Sequence, residues 1–206
     1  MSSAAPLSSQ RWRRAALLAA TLWLAGCAHR PVSQPVVASW PVQRAALLAQ
    51  GQFQFSGRLA VASGNDGFSG GIDWSQQAAT SSLQLRGPLG VASVQVQFDG
   101  QNLDLRLSDG SELRGAAAQD ALAQALGFDA PLASLAYWLR GCDDPASRAD
   151  TTLDEQNRLA SLAQQGWQIS YESYQRQGSL WLPLQMTLRR EPVRLRLRIQ
   201  TWTLAG

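Results

Sequence analysis

The sequence predicts an α+β domain in which an antiparallel sheet is interrupted by two helices. Apolar and polar residues alternate over residues 52–113 and again over 158–199. In the segment between these two blocks, the apolar residues recur with the spacing of a helix. Short turns such as Asp99-Gly100 connect successive alternating segments. We therefore expect the strands to pair antiparallel, with the helices on one face or at one end of the sheet.

A short helix is predicted ahead of the sheet, over residues 41–50. Pro41 suits the first turn of a helix, apolar residues recur with helical spacing, and Gly51 ends the pattern. The first strand follows directly, because Phe53, Phe55 and the later apolar residues fall on one face of an extended chain.

The first block continues as successive short strands separated by turns. The pair Gly70-Gly71 within the second strand predicts a bulge or bend. The alternating apolar positions that define the later strands are Leu83 and Leu85, then Val94, Val96 and Phe98, then Leu103, Leu105 and Leu107, then Leu113.

Two amphipathic helices are predicted in the middle of the chain, over residues 119–126 and 131–140. Gly127 and Gly141 end them, and Pro131 begins the second. Both helices carry apolar residues on one side, so each is expected to pack against the sheet.

The stretch 142–154 is polar and is predicted to form a loop. Strands return after it, and in the last one aliphatic residues share one face while arginines occupy the other. The predicted strands of this block cover residues 158–163, 166–171, 184–188 and 193–199.

The N-terminus has the parts of a secretory signal peptide, namely a basic cluster, an apolar run and small residues before Cys27. The sequence Leu24-Ala25-Gly26-Cys27 resembles the lipobox of bacterial lipoproteins, which implies cleavage before Cys27 and lipid on its sulfur and amine. The apolar run is shorter than the ~20 residues that span a bilayer. We expect a cleaved signal over 1–26, a lipidated tether over 27–40 and a folded domain over 41–206.

The basic character of the whole chain is lost with the signal peptide. All 18 basic residues are arginine, and the mature chain keeps 15 of them against 15 acidic residues. The formal charge of +3 therefore belongs to the segment that is removed. A basic surface for nucleic acid is not indicated, and no nucleic-acid partner is expected.

No pattern in the sequence indicates catalysis. His29 is the only histidine and lies in the predicted tether, so a histidine-based triad or metal site is not expected in the domain. With Cys27 lipidated, Cys142 has no disulfide partner and is expected to be a tolerated loop residue. The acidic pairs Asp143-Asp144 and Asp154-Glu155 lie in polar stretches and are expected to be solvated. We expect no enzyme activity, no metal and no cofactor.

The helices can pack on the sheet in two ways. They can fill its apolar face as a closed core, or they can cap it and leave an apolar cavity. Large rings suit both arrangements, and periodicity alone favours the closed core. The tryptophans of the mature chain lie at positions 40, 74, 138, 167, 181 and 202.

An ordered series of short motifs resembles the LolB family of outer-membrane lipoproteins. The series runs from about Phe53 to Trp202, and the lipobox distinguishes this family from the soluble LolA carriers, which share the fold. One departure lies at Gly141-Cys142-Asp143-Asp144-Pro145, where the resemblance would imply Gly-Leu-Pro or a similar sequence. The motifs are Phe55-Ser56-Gly57-Arg58-Leu59-Ala60, Asp73-Trp74, Gly87-Pro88-Leu89-Gly90, Pro131-Leu132, Trp138-Leu139-Arg140-Gly141, Gly166-Trp167 with Ile169, Tyr171 and Tyr174, Leu182-Pro183 with Met186 and Leu188, and Leu195, Leu197, Ile199 and Trp202.

The resemblance implies an incomplete, half-open antiparallel β-barrel with an α-helical lid over an apolar cavity. This implication reverses the preference for a closed core. The cavity would hold the acyl chains of a lipoprotein in transit. The candidate wall residues are Leu59, Val61, Trp74, Val94, Val96, Leu105, Met186, Leu197 and Ile199 on the strands and Leu132, Leu135, Trp138 and Leu139 on the helices.

The resemblance also implies the partners and the location of the protein. It would accept triacylated lipoproteins from a LolA-type periplasmic carrier and insert them into the inner leaflet of the outer membrane, driven by differences in affinity. It would be a monomer anchored by lipid in the outer membrane and facing the periplasm. Ala28, in place of aspartate after the lipidated cysteine, agrees with that location.

A loop with an apolar tip is the sharpest local hypothesis. Pro88 and Gly90 favour a turn that points the side chain of Leu89 outward. The resemblance implies that this loop touches the membrane and helps to release acyl chains into it. The alternative is a leucine folded back under its own hairpin.

The sequence leaves other functions open. The chain could be a lipid-anchored binding or sensor domain without transfer activity, a structural lipoprotein with a filled core, or a carboxylate-based hydrolase. The face formed by Arg194, Arg196 and Arg198 could dock an acidic mouth on a carrier, although a solvated strand face is favoured.

Overall fold

The computed structural model describes residues 39–87 and 93–204, and these residues form three helices and eleven strands. The predicted helix at 41–50 is present one residue earlier, so the helix includes Trp40, the last residue of the predicted tether. In chain order the elements are α1 (Trp40–Ala49), β1 (Gln52–Ser63), β2 (Asp66–Gln77), β3 (Thr80–Arg86), β4 (Ser93–Phe98), β5 (Leu103–Arg106), β6 (Glu112–Arg114), α2 (Ala116–Leu126), α3 (Leu132–Trp138), β7 (Ala149–Leu153), β8 (Leu159–Gln164), β9 (Trp167–Gln177), β10 (Leu180–Arg190) and β11 (Val193–Leu204).

All the described strands belong to one antiparallel sheet with the order β6-β5-β4-β3-β2-β1-β11-β10-β9-β8-β7. Neighbours in sequence pair with each other in both blocks, and the two blocks are joined where β1 pairs with β11. Within the described residues β6 and β7 are the free edges, so the sheet stays open. The predicted half-open antiparallel barrel, with its helices inserted between two strand blocks, is confirmed.

The central pair β1–β11 follows from the alternation of apolar residues. Along β1, Phe53, Phe55 and Leu59 are buried while Arg58 is exposed. The register shifts between Ser56 and Gly57, where a Cβ at residue 57 would lie 2.4 Å from the backbone oxygen of the partner strand. Only glycine permits so close an approach, so this position bends the centre of the sheet.

The pairing of strand β2 shows no bulge at Gly70-Gly71, where the sequence predicted a bulge or bend. Strand β2 pairs with both β1 and β3 without a register shift. A Cβ at Gly70 would lie 1.9 Å from the carbonyl oxygen of Arg86, so the glycine serves a close backbone contact with β3.

The predicted helices at 119–126 and 131–140 are present as α2 and α3. Helix α2 begins earlier, at Ala116, and α3 ends earlier, at Trp138. The backbone of Gly127 is left-handed (φ 79°), and its N–H bonds to the carbonyl of Ala123 at 2.8 Å. This cap turns the chain directly from α2 into the short link to α3.

The loop predicted over 142–154 is partly wrong, because residues 149–153 form strand β7. This strand pairs with β8 at the edge of the sheet and is almost wholly exposed. An edge strand with no buried face needs no apolar alternation, so the periodic pattern used for prediction is missing from it.

The core lies between the sheet and the helices, and the described residues, 39–87 and 93–204, belong to one compact unit. The ring of Phe55 stacks on Trp74 with centroids 6.3 Å apart, and the centroid of Trp202 lies 5.1 Å from that of Phe55. Because the described residues of this unit bury their own continuous apolar core, the unit has what an independently folding domain requires. The largest fully buried side chains include Trp138, Trp167, Phe53, Leu47, Leu159, Leu162, Ile169 and Leu182.

Candidate functional site

An apolar cavity of about 60 Å³ lies between the inner face of the sheet and the helices α2 and α3. Every residue around it is apolar, so nothing in the wall can satisfy a polar ligand. Its lining residues are Leu59, Ile72, Trp74, Leu83, Leu85, Leu122, Leu126, Phe128, Ala130, Leu132, Leu135, Leu139, Leu188, Leu195 and Leu197.

The floor of the cavity is built from cross-strand pairs. Apolar residues that oppose each other in the register bring two side chains to the same point on the inner face. This arrangement spreads the floor over β1, β2, β3, β10 and β11. The pairs are Leu59 with Leu197, Leu188 with Leu195, Ile72 with Leu85, and Trp74 with Leu83.

The roof is formed by α2, α3 and the link between them. Helix α2 contributes Leu122 and Leu126, helix α3 contributes Leu132 and Leu135, and the link contributes Phe128. These positions follow the helical spacing of the sequence, so both helices turn their apolar sides toward the sheet. The two helices and their link therefore act as the lid of the cavity.

The lid is held firmly at the end of α3. The indole N–H of Trp138 donates to the side-chain oxygen of Gln164 at 2.7 Å, and the Tyr171 hydroxyl donates to the Trp138 carbonyl at 2.9 Å. The side chains of Gln164 and Tyr171 are both buried, so these two hydrogen bonds are protected from water.

The link between α2 and α3 is held more loosely. The Ser63 hydroxyl donates to the carbonyl of Gly127 at 3.4 Å, and Arg190 donates to the carbonyl of Asp129 at 3.4 Å. Phe128 packs edge-on against Trp167, with centroids 5.6 Å apart. Long, exposed hydrogen bonds contribute little, so the link is the part of the lid that can move at the lowest cost.

A groove of about 480 Å³ adjoins the cavity between α2, α3 and the ends of β4 and β5. It shares Leu122, Ala130 and Leu132 with the cavity, so these three residues separate the two spaces. Its opposite wall is polar and includes Ser134 and Asp144. The groove is thus an amphipathic approach to an apolar interior.

The segment after α3 is more ordered than the sequence suggested. Cys142 lies in a loop as expected, but it is fully buried there, and burial raises the pKa of its thiol to about 12. Its thiol donates to the carbonyl of Tyr137 at 3.4 Å. A thiol that stays protonated is a poor nucleophile, so Cys142 acts as a small core residue.

The expectation that Asp143 and Asp144 are solvated is wrong. The Arg44 guanidinium donates to both carboxylate oxygens of Asp143, at 2.5 and 2.6 Å, and this bond holds the pKa of the carboxyl below its usual value. Asp144 is buried and accepts a bond from Ser134 at 2.7 Å. Both acids therefore fix the chain between α1, α3 and β8, and neither is free for catalysis.

Comparisons with known proteins identify the family. The sequence matches the family described as outer membrane lipoprotein LolB over residues 51–202. A protein named outer-membrane lipoprotein LolB from Nitrosomonas europaea is 33% identical over 92% of both chains. One of the same name from Pseudomonas fluorescens is 30% identical over 87% of this chain and 90% of its own.

The chain belongs to the LolB family. It is accordingly an outer-membrane lipoprotein, anchored by lipid and facing the periplasm. Among the described helices, none combines the length and the apolar character needed to cross a bilayer. Within residues 39–87 and 93–204, no three histidine, cysteine, aspartate or glutamate side chains are grouped to hold a metal ion.

Solved structures with little sequence identity share the LolB-like fold. A LolA superfamily protein from Nitrosomonas europaea superposes with a TM-score of 0.53 at 10% identity, over 80% of this chain and 94% of its own. A DUF1329 family protein from Desulfovibrio piger gives a TM-score of 0.54 at 9% identity, over 84% and 94%. An open sheet with a helical lid is therefore common to proteins with distant sequences.

The candidate wall residues of the LolB cavity divide into two groups in the structure. Leu59, Trp74 and Leu197 on the strands, together with Leu132, Leu135 and Leu139, line the cavity. The remaining candidates are not among its lining residues and pack elsewhere in the apolar core. These are Val61, Val96, Leu105, Trp138, Met186 and Ile199, which are buried, and Val94, which is partly buried.

Several lining residues were not predicted. Leu188 and Leu195 lie two residues away from the predicted Met186 and Leu197 on the same strand faces, so alternation gave the right face but not how far the cavity extends along it. Phe128 and Ala130 lie in the link, where a short connection carries no periodic pattern. The available sequence signal for Phe128 was its position directly after Gly127, because an apolar residue that follows a helix-ending glycine often packs back against the helix.

Two predicted sites lie outside the described residues. The lipidation site Cys27 and the loop residues Pro88, Leu89 and Gly90 are not among residues 39–87 and 93–204. The strands that flank the loop are described, and they end at Arg86 and resume at Ser93.

Proposed function

We propose that this LolB-family chain accepts lipoproteins from a LolA-type periplasmic carrier by binding their acyl chains in the cavity, and inserts them into the inner leaflet of the outer membrane. The observation that carries the proposal is a wholly apolar cavity under a two-helix lid in a protein anchored at that membrane. The transfer of each methylene from water into such a space is favourable by about 0.8 kcal/mol. Summed over an acyl chain, this free energy is enough to keep the chain out of water during transfer.

The size of the cavity indicates that binding requires the lid to move. Ligand pockets commonly measure about 300–1,000 Å³, whereas this cavity measures about 60 Å³. Acyl chains would displace α2, α3 and their link from the sheet and enlarge the space between them. The neighbouring groove would then join the cavity, since only Leu122, Ala130 and Leu132 separate them.

The transfer needs no covalent step. The cavity must bind acyl chains more strongly than the carrier does and less strongly than the bilayer, so that each step is downhill. In this scheme Leu89 is proposed to touch the membrane and to assist release. A lipid-anchored binding domain that holds lipid without passing it on would share the cavity and would fail only the transfer test.

The test is transfer in vitro with a substitution that fills the cavity. A LolA-type carrier loaded with a labelled triacylated lipoprotein is mixed with the mature chain lacking Cys27, and the label is followed by pull-down. Ala130→Leu adds apolar bulk where the groove meets the cavity. We expect the label to move to the unsubstituted chain and to move at least about tenfold more slowly to Ala130→Leu.

The matched control is Ala117→Leu, because Ala117 lies on the exposed side of α2 and lines neither the cavity nor the groove. This variant should accept cargo normally, and thermal unfolding should show that both variants are folded. Failure of the unsubstituted, folded chain to take up label would contradict the transfer function. Normal uptake by Ala130→Leu would place the acyl chains elsewhere.

A further inference from the structure

A cluster of arginines covers the outer face of the sheet, on the side opposite the helices. We call it the basic patch, and it surrounds a shallow depression of about 460 Å³. Glu172 is its only acidic member among the described lining residues. The arginines of the basic patch are Arg58, Arg189, Arg194, Arg196 and Arg198.

The strand register places like charges directly opposite each other in the basic patch. Arg58 on β1 opposes Arg198 on β11, and Arg189 on β10 opposes Arg194 on β11. Like charges at such positions destabilise a sheet, because the side chains stand about 5 Å apart on the same face. Folding alone therefore gives no reason for this arrangement.

The basic patch also lacks internal compensation. Elsewhere in the described chain, arginines such as Arg44 and Arg106 pair with carboxylates. None of the five patch arginines has a carboxylate within ion-pairing distance among residues 39–87 and 93–204. The Nε atom of Arg194 is buried and has no hydrogen-bond partner within the same residues. An outside anion cannot reach that buried atom, but the guanidinium groups of the patch have no internal carboxylate partner that would compete with such an anion.

The basic patch reaches one particular end of the sheet. Strand β10 ends at Arg190 and β11 begins at Val193, so Arg189 and Arg194 stand beside that turn. In an antiparallel sheet, the end of β3 at Arg86 and the start of β4 at Ser93 lie at this same end. The connection that carries the proposed membrane loop therefore leaves the sheet at the end where the patch begins.

We propose that the basic patch binds the headgroups of anionic phospholipids and holds this end of the sheet against the membrane. Guanidinium groups suit phosphate because they donate several hydrogen bonds in a fixed plane. An acidic carrier is the less suitable occupant, because the cavity and the lid lie on the other face of the sheet. The inference rests on the outer-membrane location of the family and does not depend on what the cavity binds.

The test measures binding of the mature chain without Cys27, and so without its lipid anchor, to vesicles. Vesicles of phosphatidylcholine alone are compared with vesicles that also contain phosphatidylglycerol, at low and high salt. The test variant is Arg194→Gln with Arg198→Gln, which removes one member of each like-charge pair. The matched control is Arg106→Gln with Arg114→Gln, which removes the same net charge at the exposed arginines beside Glu112.

We expect binding only to vesicles with phosphatidylglycerol, weakened by salt. Each arginine near an anionic surface contributes about a fivefold change in partitioning, so the double patch variant should bind roughly 25-fold more weakly. The control variant should lose less than about threefold. Because the patch variant relieves repulsion, its resistance to urea should be equal to or greater than that of the unsubstituted chain.

Three results would overturn the inference. The unsubstituted chain could fail to bind vesicles with phosphatidylglycerol, or the two double variants could lose binding equally, which would indicate a general charge effect. Alternatively, the patch variant could bind vesicles normally but lose capture by the carrier, which would make the patch a carrier-docking surface. Uptake of labelled lipoprotein, measured with Ala130→Leu, reports on the cavity separately.

Discussion

Arg140 shows how much of the structure depends on a single buried side chain. Its guanidinium is almost completely buried, and burial lowers the pKa of the group. It donates to the carbonyls of Leu47 and Ala136 at 2.9 Å, and also to that of Gln50. Because Leu47 and Gln50 lie at the end of α1, Arg140 fastens that helix to the end of α3 and satisfies its last carbonyls.

Replacing Arg140 should therefore destabilise the domain strongly. In Arg140→Met the volume is nearly kept but the hydrogen bonds to buried carbonyls are lost. We expect the free energy of unfolding, measured with urea, to fall by about 3 kcal/mol. Arg148→Met, at an exposed arginine, should change it by less than about 0.5 kcal/mol. Equal stability of the two variants would show that water replaces the guanidinium at the end of α1.

Individual residues were predictable from the sequence where one local pattern decides their place. The inner faces of β1 and β11 followed from alternation, and Arg58, Arg196 and Arg198 are exposed as that alternation requires. The partners of Arg140 and Asp144 were not predictable, because hydrogen bonds such as Arg140 to Leu47 and Asp144 to Gln164 join different elements of the fold. A polar residue gives no sign of being buried until the segments that satisfy it are known.

At the scale of elements, most helices and strands follow from periodicity, and their positions relative to each other do not. Alternation identifies the apolar face of β10, but the part of that face beneath the lid depends on where α2 and α3 cross it. Leu188 lines the cavity, whereas Met186 is buried in the core without lining it. Strand β7 was missed because it has no apolar face, and an edge strand can pair with its neighbour without one.

A cross-link between sheet and lid tests whether the lid must open. A Cβ at Gly127 would lie 3.3 Å from the Cβ of Ser63, slightly less than the roughly 3.5–4.5 Å of disulfides. In the double variant Ser63→Cys, Gly127→Cys, oxidation should fasten the link between α2 and α3 to β1. We expect the oxidised protein to accept cargo at least about tenfold more slowly, because the closed cavity is too small for a ligand.

The same protein after reduction is the control for this cross-link, and transfer should return. Cys142 should not interfere, because it is fully buried and the pKa of its thiol is raised to about 12. Ser63→Cys alone, treated with the same oxidant, should transfer normally. Undiminished transfer by the cross-linked form would show that acyl chains enter without movement of the link.

At the scale of the whole molecule, the structure separates three surfaces to which we assign different proposed roles. The cavity and the groove lie on the inner side of the sheet with the lid, and the basic patch lies on the outer side. The end of the sheet at Arg86 and Ser93 connects these two sides. Uptake from a carrier and release into a membrane can therefore be impaired independently by substitutions on different surfaces.

Leu89→Glu is the substitution that should separate release from uptake. Leu89 lies in the connection between β3 and β4, outside the described residues, and is proposed to enter the membrane. Losing one buried leucine removes about 1.5–3 kcal/mol of apolar contact with the bilayer, so insertion should slow roughly tenfold or more. Uptake from the carrier should be unchanged, because the cavity is intact. Flotation of vesicles measures the inserted cargo, and Leu89→Met, which stays apolar, is the control. If folded Leu89→Glu inserts cargo at the normal rate, release proceeds from the cavity without this loop.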